Sequence, residues 1–217
     1  MRVDLGERMA LSSTPPPGPA RVDGRRLRSV RTRQLVIEAY LALLRENPAI
    51  PTAAQVAERA GYSVRSIFER FPDLHALRIA ATDYAFTLAN NQSAATGFEG
   101  NRQTRIKLHV EMRAQICAQW LPLWRALNAN QGESQELEMR IRVIRGAVVN
   151  RIEHFYRPEL STLKEPERRH TVLAIEFLID FESWARMQEF FGLSIEEGCT
   201  VWSRAIDRLL PPTPSDS

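Results

Sequence analysis

The tightest constraint on this chain is the run from Thr52 to Leu77, TAAQVAERAGYSVRSIFERFPDLHAL, where two helix starts and one helix stop fall close together. Thr52 and Gln55 form a Thr-x-x-Gln capping box: the hydroxyl can accept from the Gln55 amide while the Gln55 side chain reaches back. Gly61 stands where a left-handed residue ends a helix without a Cβ clash, and Ser63 is placed to cap the next one. Ala53, Val56, Ala57 and Ala60 line the first short helix. A second, predicted from Ser63 to Phe71, puts Val64, Ile67 and Phe71 on one side and leaves Arg65, Ser66, Glu69 and Arg70 to face out. Two short helices joined this way make a helix-turn-helix. Pro72-Asp73 closes it, with Asp73 as cap of a fourth helix striped by Leu77, Ala81, Tyr84 and Leu88.

Ahead of this run, residues 1–20 contain the Pro-rich LSSTPPPGPA and are expected to be a disordered leader. A basic arm follows, with Arg21, Arg25, Arg26, Arg28, Arg31 and Arg33. The first helix is predicted to start near Leu27 to Ser29 and to end before Pro48, because Val30, Ile37, Tyr40, Leu41 and Leu44 recur at helical spacing. The net charge of +3 hides an asymmetry: residues 21–79 hold 11 Arg against 6 acidic residues, a balance of +5, whereas residues 80–217 hold 16 Lys plus Arg against 18, a balance of −2. Arginines that neutralise phosphates release counterions, so the +5 half fits a DNA-facing region, although a solvated basic face would look the same.

The pattern TAAQVAERAGYSVRSIFERFPDLHAL resembles the tetracycline-repressor (TetR) family of bacterial transcription regulators over about residues 27–80. The likeness lies in the helix, the Ala-Gly-aliphatic-Ser turn, a recognition helix with an aromatic, then Phe and a short loop into a Leu-bearing helix. It implies an all-α protein with an N-terminal three-helix DNA-binding unit and a C-terminal helical bundle for ligand binding and dimerisation. It also implies a homodimer that binds operator DNA and lets go when a small molecule binds. Two positions depart from the family's pattern: Phe68 stands where members commonly have a phosphate-touching Tyr, and Leu74 where they often have Lys. Arg65, Arg70 and the basic arm are the replacements at hand.

Behind the module, Thr104 to Leu210 reads as five further helices. One is predicted over Arg105 to about Ala118, with a restart imposed by Pro122. The next runs from Glu133 to about Phe155, striped by Leu137, Ile141, Ile144, Val148 and Ile152 and stopped at Pro158. A helix from Pro166 to Phe191 would be about 39 Å long and apolar on several faces, so it is expected to be buried on two sides. Ser194-Ile195-Glu196-Glu197 is a second capping box, opening a last helix that ends at Leu210 and contains Gly198, which suits a close helix approach. The last two helices look like half of a four-helix interface, with Ile175, Ile179, Trp202, Ile206 and Leu209 as expected dimer contacts. The proposed division is a leader at 1–20, the DNA-binding unit at 21–79, the effector and dimerisation unit at 80–210 and a flexible tail at 211–217.

The expected base-edge contacts are Tyr62, Arg65 and Ser66, and the expected phosphate contacts are Arg33, Thr52, Ser63 and Arg70. Trp120, Trp124, Phe155, Phe177, Phe181 and Trp184 supply aromatic surface for an apolar or aromatic effector, though plain core is the commoner use of such residues. His75, His109, His154 and His170 stand apart in sequence and no glycine-rich phosphate loop occurs, which argues against an enzyme, a metal or a cofactor. Cys117 and Cys199 read as buried thiols. No apolar run is long enough to span a bilayer and no secretory signal is legible, so a cytoplasmic protein with no membrane partner is expected. The alternative is a helical protein-interaction module whose helix-turn-helix is structural; salt-dependent DNA retention separates the two.

Overall fold

The computed structural model describes residues 24–47, 49–94, 99–130, 132 and 134–214, so the expected leader at 1–20 and Arg21 lie outside the described residues. The described chain is all-α. In order it forms α1 (Gly24–Glu46), α2 (Ala53–Ala60), α3 (Val64–Phe68), α4 (Leu74–Ala94), α5 (Arg102–Ala129), α6 (Gln135–Phe155), α7 (Arg157–Leu160), α8 (Glu167–Leu178), α9 (Phe181–Ala185) and α10 (Ile195–Leu209). No helix among the described residues is long and apolar enough to cross a membrane.

α1 begins a turn earlier than expected, so Arg26, Arg28, Arg31 and Arg33 sit exposed on a helix and not on a loose arm. Its other face buries Val36, Tyr40 and Leu44 against Val56 of α2, Ile67 of α3, Phe71 and Leu77 of α4. Each such side chain contributes about 1.5–3 kcal/mol on burial. α3 is shorter than the predicted Ser63–Phe71: Glu69 and Arg70 form a turn, because Pro72 disfavours a helical Phe71. Val64 departs from expectation too, since it is exposed beside Phe68 while Ile67 alone in α3 is buried. Asp73 caps the start of α4 by accepting from the Ala76 amide at 2.7 Å, and α4 runs unbroken from that module into the bundle.

Two expectations about the bundle are corrected. Pro122 does not restart the helix: α5 continues through it to Ala129. The carbonyl that Pro122 leaves without a donor belongs to exposed Ala118, and buried Trp120, Leu123 and Trp124 around it outweigh the cost of about 3 kcal/mol. α6 ends at Phe155 as expected, and Pro158 then sits in the first turn of the short α7. The helix predicted from Pro166 to Phe191 is broken at Ile179–Asp180. There the Ile179 carbonyl accepts from Arg113 Nε at 2.9 Å, Asp180 caps α9 by accepting from the Glu182 amide, and a π-helical turn, Arg186–Phe190, follows.

Gly192, at φ 64°, ends that turn, and Ser194 and Glu197 close the expected capping box at the start of α10. Gly198 is buried, and a Cβ there would lie 3.1 Å from the Trp184 ring, so the close approach it permits is to α9 of its own chain. The segment expected to be a flexible tail is tied down at its start. Arg102 donates to the Leu210 and Pro211 carbonyls, and Thr213 donates to Glu159 at 2.5 Å. Glu159 is wholly buried with Arg105, whose guanidinium binds both carboxylate oxygens at 2.6 and 2.9 Å.

Candidate DNA interface and the cavity behind it

The turn between α2 and α3 has the geometry its sequence dictates. Thr52 accepts from the Gln55 amide at 3.3 Å while its own amide donates to Gln55 Oε1 at 2.9 Å. Gly61 adopts φ 72°, and the Tyr62 amide reaches back to the Ala57 carbonyl at 2.9 Å, a Schellman closure. Ser63 then accepts from the Ser66 amide at 3.2 Å and its hydroxyl lies 3.1 Å from that of Ser66. With Ile67 anchoring one side, α3 presents Val64, Arg65 and Phe68 outward. The Arg65 side chain is 88% exposed, held only by Glu69 at 3.2 Å.

Of the residues expected to touch DNA, Ser63, Arg65 and Ser66 lie together on α3 and Thr52 is exposed at the start of α2. Arg70 and Arg33 gather at the far end of α3: Arg70 donates to the Ser66 carbonyl at 3.0 Å, and Arg33 lies 4.3 Å over the Phe71 ring and donates to the Arg70 carbonyl at 3.4 Å. Arg28 and Ser29 share a shallow pocket with Arg70 and Glu69, a grouping missed in sequence because it joins residues some forty positions apart. Tyr62 is turned back from the outer face: it is half-buried against the core, its hydroxyl 3.3 Å from Thr32 Oγ1.

Behind the module, α4, α5 and α6 enclose a cavity of about 90 Å³. Trp120, Trp124 and Phe181, three of the six aromatics expected there, line it. The other three do not. Phe155 stacks on the far partner His109 at 4.7 Å, Trp184 packs on Trp202 at 5.0 Å, and Phe177 is exposed. Sequence reasoning missed the polar lining: Asn90, Ser93, His109, Arg113 and Arg151. His109 is fully buried with Nδ1 2.8 Å from the Tyr156 hydroxyl, and burial, then the charges of Arg113 and Arg151, pushes its pKa down to about 3. It is therefore a neutral imidazole. Cys117 is buried as expected, its thiol raised to about 11 chiefly by burial, whereas Cys199 is only partly covered.

Four of the five expected dimer contacts are corrected. Ile175, Ile179, Trp202 and Ile206 are wholly buried in their own chain, leaving only Leu209 exposed. They are spent on the chain's own core, where Trp202 packs on Trp184 at 5.0 Å. Phe177, Phe190, Phe191, Ile195 and Val201 are exposed instead, and Phe177, Phe191 and Val201 line one surface groove.

No protein-family model matches the chain, and no curated protein matches it. Solved structures do. A TetR transcription regulator from Haloarcula marismortui has a TM-score of 0.70 and 14% identity, over 84% of this chain and all of the other. A TetR-family regulator from Streptomyces coelicolor has 0.67 and 16%, over 83% and 80%. The multidrug binding protein EbrR, complexed with imidazole, has 0.55 and 16%, over 91% and 96%. With its helix-turn-helix ahead of a helical bundle, the chain has the fold of the TetR-family transcriptional regulators.

Proposed function

We propose that the protein is a TetR-type transcriptional repressor that binds palindromic operator DNA as a homodimer and is released by a small molecule in the cavity. The observation that carries this reading is α3: short, capped at Ser63, anchored by Ile67 and presenting Arg65 outward on the basic half of the chain. Arg65 is suited to a bidentate contact with guanine, with Ser66 beside it. Ser63, Thr52, Arg33, Arg70 and Arg28 are the phosphate contacts, and they compensate for Phe68, which has no hydroxyl. The DNA-binding unit spans 21–79 and the effector and dimerisation unit 80–210.

Dimerisation sets two recognition helices about 34 Å apart, the spacing of successive major grooves. The exposed apolar surface of Phe177, Phe191 and Val201 is the face we assign to the partner copy, since contiguous apolar patches mark association sites. The name of EbrR, a multidrug binding protein, supports a ligand role for the bundle.

Selection of bound sequences from random DNA tests the reading. The expected result is an inverted repeat whose retention falls steeply with salt. No retention at low salt removes the regulator and leaves a structural helix-turn-helix in a protein-interaction module.

A further inference from the structure

The lining of the cavity combines two chemistries. Arg113 and Arg151 both line it with the buried His109, Ser93 and Asn90, and Arg151 Nη1 donates to the Ser93 carbonyl. Arg113 lies 4.6 Å over the Phe181 ring, and Phe181 stacks on Trp124 at 4.9 Å. The cavity thus sets a guanidinium directly against its aromatic wall.

Among the described residues the lining itself brings no carboxylate to these two arginines. No Asp or Glu lines the cavity, and neither guanidinium makes an ion pair among the described residues. Arg113 uses Nε on the Ile179 carbonyl and Arg151 uses Nη1 on the Ser93 carbonyl at 2.7 Å, both neutral acceptors. Glu176, whose carboxyl feels the charges of Arg145 and Arg113, stands outside the lining. Burial pulls Arg151 down, as expected for a cation taken from water without a carboxylate. Buried charge of this kind is costly unless an anion meets it.

We infer that the cavity takes a small amphipathic monocarboxylate, its anionic head between Arg113 and Arg151 and its apolar or aromatic body along Phe181, Trp124 and Trp120. The inference rests on the effector reading above and replaces an uncharged ligand by an acid. A planar carboxylate matches the guanidinium fork, and the neutral His109 adds a hydrogen-bonding neighbour that does not repel it.

The test is thermal unfolding of the full chain with butyrate and isovalerate, acids small enough for a cavity of about 90 Å³, each beside its primary amide. An acid should raise Tm in a concentration-dependent way, with the amide weaker by about tenfold or more. Arg151→Met should weaken the acid by about tenfold or more and leave the amide unchanged, while Arg151→Lys retains part of the acid preference. If Arg151→Met does not fold, tryptophan fluorescence titrations of the unaltered protein decide: acid affinity should fall with salt and amide affinity should not. Acid and amide binding alike, or neither binding, overturns the assignment. DNA retention by the ligand-free protein is read separately. Acid-selective binding by a protein that ignores DNA keeps this site and removes the regulator, whereas DNA binding without acid selectivity does the reverse.

Discussion

In the helix-turn-helix the bonds that start each helix span three residues, as in Thr52–Gln55, Ser63–Ser66 and Asp73–Ala76. In the bundle, polar bonds join residues from 47 to 105 positions apart: His109–Tyr156, Arg105–Glu159, Arg113–Ile179 and Arg102–Asp207. The first region is assembled from local signals that cost little to form. The second is closed by buried charges and dipoles whose partners arrive only when the whole bundle does, so its bonds stand or fall together.

The comparison breaks most sharply at Glu159. Removing its carboxylate by Glu159→Ala leaves the Arg105 guanidinium buried and unpaired, and denaturant unfolding should show a loss of about 3–5 kcal/mol. Replacing both partners, Arg105→Met with Glu159→Leu, should cost far less, because no uncompensated charge remains. The pH dependence follows the same pair. Burial alone would raise the Glu159 carboxyl, yet the hydrogen bonds from Arg105 and Thr213 win and hold it below its ordinary value. Its folded pKa is thus lower than its unfolded one. Its contribution is therefore complete above the ordinary carboxylate range and is lost as pH falls through the depressed folded value. The doubly substituted chain should lose that part of its acid sensitivity.

The same contrast explains what was legible in the sequence. Thr52, Gly61, Ser63, Asp73 and Ser194 act on neighbours within four residues, and each sits in the structure as its local pattern implies. The helix predicted through Ile179 failed because the bond that ends it comes from Arg113 on α5, 66 positions away. The dimer residues failed because apolar type and helical spacing do not say whether Ile175, Ile179, Trp202 and Ile206 face a partner or, as here, their own chain's core. In the cavity, aromatic residues drew attention by type, whereas nothing in the sequence around Arg113 and Arg151 sets them apart until the fold brings both to one lining.

A smaller effect is expected within the module. Gly61→Ala puts a Cβ on a residue at φ 72°, where nothing lies within 4 Å of the added atom, so the cost is backbone strain alone, about 1–2 kcal/mol. Asn at the same position should recover part of it, which thermal unfolding can resolve. Thr52→Ala removes the cap of α2 and should cost about 1 kcal/mol. Neither change should alter Tm with the co-operative breadth of Glu159→Ala, because each touches one local bond.

The smallest stability effect should accompany a clear functional one, at Glu69. Its carboxylate pairs with Arg65 at 3.2 Å and lies 3.6 Å from Arg70, yet all of this sits on the exposed face of a short helix. Exposed pairs at this spacing contribute about 0.5 kcal/mol or less, so Glu69→Gln should barely move the unfolding midpoint. On DNA the same carboxylate is the negative charge nearest the two arginines assigned to bases and phosphates. Its removal frees Arg65 and lessens repulsion from the backbone, so affinity should rise at low salt while the half-site preference stays the same. A fall in affinity would instead mean that Glu69 orients Arg65 for its base, making the pair a preorganised reader and not a competitor for the guanidinium.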